Sequence, residues 1–271
     1  MVQNLFIDTN LSWTLEKARF SGVSQSITTN TPNPRNVFFR SNGLSFWIIE
    51  AGNDYVNEYS LSNPWGITSA TYVRQFSVGT QENSPNGLFF SPDGLKMFVS
   101  GGKPPASIHE YTLLTAWDIS TSSFVQSLDV SGDDTSPTGM FFRSSGLKLF
   151  FCGAANGFIF EYDLSAAWNI STALLVQSID VSARAPSPVG IFFRDDGSKM
   201  FLVNAVGGTS VRSILEYNLS IVFDISTAIF VRDFSVAAQD TGPQSIFFNP
   251  DGFYAFISGN TNDSIYKYLF Y

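Results

Sequence analysis

One pattern governs what this chain can fold into. A Phe-Phe pair recurs at Phe38-Phe39, Phe89-Phe90, Phe141-Phe142, Phe192-Phe193 and Phe247-Phe248. A proline precedes each pair by four residues (Pro34, Pro85, Pro137, Pro188, Pro243) and a glycine follows its first ring by five (Gly43, Gly94, Gly146, Gly197, Gly252). A tyrosine comes next, at Tyr59, Tyr111, Tyr162, Tyr217 and Tyr268. Six residues beyond the first four of these tyrosines stands another aromatic: Trp65, Trp117, Trp168 and Phe223. The fifth copy of that position is Trp13, 52 residues before Trp65, the same interval that separates Trp65 from Trp117. Self-similarity at a fixed period of this length marks a solenoid or a propeller.

Each repeat reads as four strands. The Leu88-Phe89-Phe90 type comes first, followed by a turn of the Asp93-Gly94, Asn42-Gly43 or Ser145-Gly146 kind, which supplies the positive φ of a tight hairpin. The Lys96–Val99, Ile108–Tyr111 and Phe124–Val130 types follow. No stretch sustains a 3.6-residue period, so almost no helix is expected. A four-stranded sheet apolar on both faces cannot stand alone in water. Five arranged radially cover one another, which predicts an all-β, five-bladed β-propeller. The small residue before each aromatic pair (Gly87, Gly139, Gly190, Ser245, with Asn36 departing) fits a first strand crowded against the axis.

The five copies are circularly permuted against the chain ends. The predicted blades span about 34–84, 85–136, 137–187, 188–242 and 243–271, the last completed by 1–33 in a single propeller domain. Its fourth strand is expected near Phe20 to Thr28, which closes the ring and removes open edges. Val2–Ile7 is left as an additional edge strand or a clip.

Composition narrows the function classes. Fifteen Lys and Arg against 23 Asp and Glu leave a net charge of −8, which disfavours nucleic acid as a partner. One Cys and one His exclude a disulfide framework and a multi-His or multi-Cys metal centre, so no metal and no cofactor are expected. The N-terminus shows no basic and apolar leader pattern, and no run reaches membrane-span length, so a virion or cytoplasmic location without membrane insertion is expected.

The run Ser-Pro-Asp-Gly-Leu-Lys-Met-Phe-Val at 91–99 resembles the hairpins of YVTN-type and NHL-type propellers. The Tyr-to-Trp spacing with Gly101-Gly102, repeated at Gly207-Gly208, is similar to kelch repeats, whereas the WD pattern fits poorly. Glu-Tyr-x-Leu, then Trp117–Thr121, then Val-Gln-Ser resembles repeat proteins of bacteriophage and marine bacteria over essentially the whole chain. That resemblance implies a virion component, a head decoration or tail-associated protein.

A single catalytic centre must break the fivefold pattern, because it needs residues that the other blades lack. The pattern-breaking residues singled out are His109, Cys152, Lys103-Pro104-Pro105, Arg184 and Arg212, and they compose no nucleophile–His–acid trio. Lys96, Lys148 and Lys199 face Glu110, Glu161 and Glu216 as structural cross-strand pairs. Asp118, Asn169 and Asp224 read as turn caps.

Apart from one residue inserted in the N-terminal strand, length varies only in the loop between the second and third strands. That loop shares a face with the inter-blade connections and so offers a recognition surface: Asn53, Asp54, Lys103, Asn156, Arg212, Asn260, Asp133 and Asp134. The expectation is therefore a non-catalytic propeller, not an enzyme, docking onto other virion or assembly proteins. The alternative is a multivalent lectin whose Trp13, Trp65, Trp117 and Trp168 stack on glycans. The third reading is a polysaccharide hydrolase.

Overall fold

The computed structural model describes residues 12–270. Among the described residues, twenty strands form five separate four-stranded antiparallel sheets. In the second blade they are Pro85–Phe90, Lys96–Gly101, Ser107–Leu113 and Ser122–Asp129, in meander order. Each first strand touches the first strands of both neighbouring blades, and Pro243–Phe248 returns to Pro34–Phe39, so the ring is closed. Helical structure among the described residues consists of three-residue 3₁₀ turns such as Ile119–Thr121. Asp118, Asn169 and Asp224 cap three of these by accepting the backbone N–H two residues on. The three inner strands of a blade are buried almost throughout, while the outer strand alternates, because only its outer edge meets water.

Closure is made by the strand Ala18–Ser26, which pairs antiparallel with Ser264–Phe270. The strand lies two residues earlier than the sequence suggests, and a register shift between Phe20 and Val23 absorbs its extra residue. Val2–Ile7 lies outside the described residues.

Crowding at the axis explains the small residues there. A Cβ on Gly139 would stand 2.7 Å from the Gly190 Cα. The Lys–Glu pairs form as expected, Lys96 to Glu110 and Lys148 to Glu161 at 2.5 Å and Lys199 to Glu216. Each buried glutamate also reaches the next blade. Glu110 accepts the Ile170 N–H at 3.2 Å, Glu161 the Ile225 N–H at 3.2 Å, and Glu216 the Leu15 N–H at 2.9 Å. These carboxylates are inter-blade staples, and the last one fastens the segment that leads into the closing strand.

A second recurrent device fills a buried polar slot above each second strand. In three blades an acid from the inter-blade connection enters it: Glu82 over Gly101, Asp134 over Gly153 and Asp240 over Gly259. In the other two, the connection carries Thr31 or Ala185, and the strand end itself supplies Glu50 or Asn204. Either way the polar group meets backbone. Asp134 accepts the N–H groups of Ser136 and Asn156 at 2.6 and 3.1 Å, while the Asn204 amide donates to the carbonyls of Gly207 and Ser210 at 2.9 and 3.0 Å. One slot thus has two solutions, and each satisfies a loop that would otherwise hold unpaired backbone.

Candidate functional site

Each first strand runs from its proline at one face of the ring to its phenylalanine pair at the other. The first phenylalanine of every pair turns to the axis. Phe38, Phe89, Phe141, Phe192 and Phe247 form a closed pinwheel of edge-to-face contacts, with centroids 5.2, 5.6, 5.3, 5.4 and 5.3 Å apart around the circle. This is the geometry that ring quadrupoles favour. The pinwheel stoppers the axis. Above it a void of about 10 Å³ remains, and below it opens a basin of about 300 Å³.

The basin wall carries the conspicuous aromatics. Trp13, Trp117, Trp168 and Phe223 line it, whereas Trp65 packs against Phe39 and Phe256 at 5.7 and 5.9 Å. All five residues occupy the left-handed region, with φ between 57° and 68°. That conformation is unfavourable for a bulky side chain and persists only because the surroundings over-determine it. In the second blade the Trp117 N–H donates to the Gly94 carbonyl at 2.9 Å, and the indole lies flat on that glycine, where a Cβ would come within 2.3 Å. The turn glycine is therefore required twice, by its own φ of 72° and by the ring above it. Arg40 stacks over the Trp117 ring at 5.2 Å and Arg143 over the Phe223 ring at 5.0 Å, and neither arginine itself lines the basin.

Polarity enters the basin at the second residue after each Phe-Phe pair. Four blades place Ser41, Pro92, Ser144 and Pro250 there, and the fourth blade places Asp195. Asp195 is the single carboxylate lining the basin among the described residues. Its side chain is reachable by solvent, yet burial against the wall, and then the neighbouring Asp196, hold its carboxyl above the usual range. Asp196 goes the other way. Burial opposes its ionisation, but hydrogen bonds from the Ser198 hydroxyl and N–H, with Arg194 at 3.3 Å, bring it below the usual range. Two adjacent carboxyls driven apart in this way divide the roles: one stays ionised, and the other can gain or lose a proton nearer neutrality.

The recognition-face residues lie on the opposite face. Asn53 and Asn156 are exposed, with their N–H groups donating to Glu50 and Asp134. Asp54 is half-buried at the loop tip with φ 62°. The Lys103 ammonium donates to the Thr80 carbonyl at 2.9 Å, the Arg212 Nε to the Thr241 carbonyl at 2.9 Å, and the Asn260 amide to Asn33 at 3.4 Å. Asp133 accepts from the Tyr162 hydroxyl, and Asp134 is buried in its slot. None of these groups is brought into the basin.

Of the pattern-breaking residues, His109 is buried, with Nδ1 2.8 Å from the Ser127 hydroxyl and Nε2 3.5 Å from Glu82. It occupies the place where Tyr266 of the fifth blade donates to Asp240 at 3.1 Å, so it belongs to the polar slot. Burial, then Asp134, pushes the Cys152 thiol far up, which makes it an inert small core residue. Sequence reasoning missed Asp195. The signal was available: in the column Ser41, Pro92, Ser144, Asp195, Pro250 one residue is charged.

No family model matches the chain, and no curated protein matches it. Solved structures do. A putative 6-phosphogluconolactonase from Bacteroides uniformis aligns with 84% of this chain and 64% of its own, at 15% identity and a TM-score of 0.52. The periplasmic gluconolactonase of Pseudomonas aeruginosa aligns with 86% of this chain and 64% of its own, at 16% identity and a TM-score of 0.50. A protein from Lactobacillus plantarum gives a TM-score of 0.54 over 87% of this chain at 12% identity. The chain therefore spans about 64% of the length of the two lactonases, and at these identities the likeness establishes the fold. It also corrects the expectation of a non-catalytic virion component that is not an enzyme. Two of the solved structures it resembles carry lactonase names, and the basin holds one acid that breaks the fivefold pattern and that the sequence reading passed over. The chain is a five-bladed β-propeller closed by its own N-terminal strand.

Proposed function

We propose that the protein is a hydrolase that opens a small cyclic ester of the sugar-lactone class in the aromatic basin. One observation carries this reading: Asp195 is the one acid on a wall otherwise built of rings, serines and prolines. Aromatic faces suit the apolar face of a sugar ring, and a basin of about 300 Å³ suits a ligand of that size. Two of the solved structures that the chain resembles carry lactonase names.

In this reading Asp195 takes a proton from water as the water oxygen bonds to the lactone carbonyl carbon. The ring C–O bond then breaks, and the departing ring oxygen recovers a proton from Asp195. The product is the open hydroxy acid. A carboxyl held above its usual range is the better base near neutrality.

The test follows acid release from gluconolactone, with and without a 6-phosphate, against the spontaneous rate. Wild type is expected to exceed that rate and Asp195→Asn to return to it. Equal rates for the two proteins overturn the assignment of Asp195.

A further inference from the structure

The opposite end of the axis carries a second break in the fivefold pattern. The residue after each first-strand proline is Arg35, Asn86, Thr138, Val189 or Gln244. These positions lie where the first strands begin, on the far side of the phenylalanine pinwheel from the basin. Arg35 is the single charge among them, and among the described residues it forms no ion pair.

Its surroundings are unusual for an arginine. The guanidinium has five N–H donors. One Nη1 hydrogen goes to the side-chain oxygen of buried Gln244 at 2.8 Å, and Nε is buried with no acceptor at all. Burial holds the guanidinium pKa below its ordinary value, with no neighbouring acid to restore it. Arg35 as a whole is only half-buried, but a cation partly withdrawn from water without a counter-charge is costly, and such sites persist where something supplies the charge. The equivalent positions of the other four blades offer only neutral groups. The Thr138 hydroxyl is committed to the Pro188 carbonyl at 2.8 Å and the Asn86 amide to the Ser84 carbonyl at 3.2 Å. The Gln244 amide nitrogen donates to the Gly242 carbonyl at 3.3 Å, which fixes its oxygen toward Arg35 and so orients the guanidinium.

We infer that this end of the axis is a binding site for one small oxyanion, a phosphate or a carboxylate, seated on the guanidinium of Arg35 that Gln244 holds in place. The planar fork matches the two oxygens of either group. The void above the pinwheel holds about one water, so the anion sits at the mouth and does not pass through to the basin. The site is independent of the lactonase reading.

Calorimetric titration of the full chain with inorganic phosphate and, separately, with succinate tests it. One site per chain is expected for at least one of the two, and which anion binds identifies the source of the oxyanion. Arg35→Gln is expected to weaken that binding at least tenfold, while Arg212→Gln on the same face leaves it unchanged. Arg35→Met, of similar length and uncharged, replaces the first variant should it fail to fold. The absence of binding by either anion, or binding that survives loss of Arg35, overturns the proposal.

Discussion

Phe38 and Phe89 meet edge to face, their centroids 5.2 Å apart and their planes inclined at 71°. The same relation, passed from blade to blade, closes the axis with five rings. Because every ring is both edge and face, removing one unseats two contacts. Phe141→Ala is expected to cost about 3 kcal/mol in urea unfolding. It is also expected to join the basin to the void above, and binding of an apolar dye in the enlarged cavity reads that directly.

Asp195 separates activity from stability. Its carboxyl is raised in the folded state, so it favours folding below its unfolded pKa, and that contribution is lost as pH rises through the raised value. At neutral pH the ionised group is a liability. Asp195→Asn is therefore expected to leave Tm unchanged or higher while abolishing lactone hydrolysis. As a base, Asp195 works only when ionised, so wild-type kcat/KM should fall with falling pH, with a midpoint above the ordinary aspartate range. A pH–rate profile flat across that region removes Asp195 as the base.

Glu216 ties Lys199 to the Leu15 backbone and thereby ties the fourth blade to the closing segment. Glu216→Ala leaves a half-buried ammonium and an orphan N–H, at a cost of roughly 3 kcal/mol. The loss should be local first. Hydrogen exchange is expected to accelerate in Ala18–Ser26 and its partner Ser264–Phe270 before the second and third blades respond.

The polar slot can be exchanged between its two solutions. Asp134→Ala should cost about 3 kcal/mol, because the N–H groups of Ser136, Ala155 and Asn156 lose their acceptor. Adding Gly153→Glu reproduces the Thr31 and Glu50 pairing of the first blade, where the carboxylate accepts the Gly52 and Asn53 N–H groups at 2.9 and 3.1 Å, and should return at least about 1 kcal/mol. Chemical denaturation of the single and double variants decides this, and a double variant no better than Asp134→Ala refutes the equivalence.

Gly94→Ala sets a Cβ against the Trp117 ring at a position where φ is 72°. In wild type it should lose both the conformational term, about 1 kcal/mol, and the packing of the indole. In a Trp117→Ala background only the first term should remain, so a double-mutant cycle is expected to show positive coupling.

The amino-acid sequence determined the wheel. Proline, paired phenylalanine, turn glycine, tyrosine and tryptophan recur at fixed spacing, and an apolar four-stranded unit must cover both its faces. The permutation of Trp13 against Trp65 was enough to predict closure by the N-terminal strand. The family resemblance drawn from short motifs did not carry function, because those motifs describe blade construction. Only the tertiary structure decided which columns of the repeat converge. Asp195 and Arg35 are single letters in otherwise neutral columns, separated along the chain by most of the ring. Their meaning comes from the axis, where five equivalent positions meet in one place and a lone charge stands against neutral counterparts.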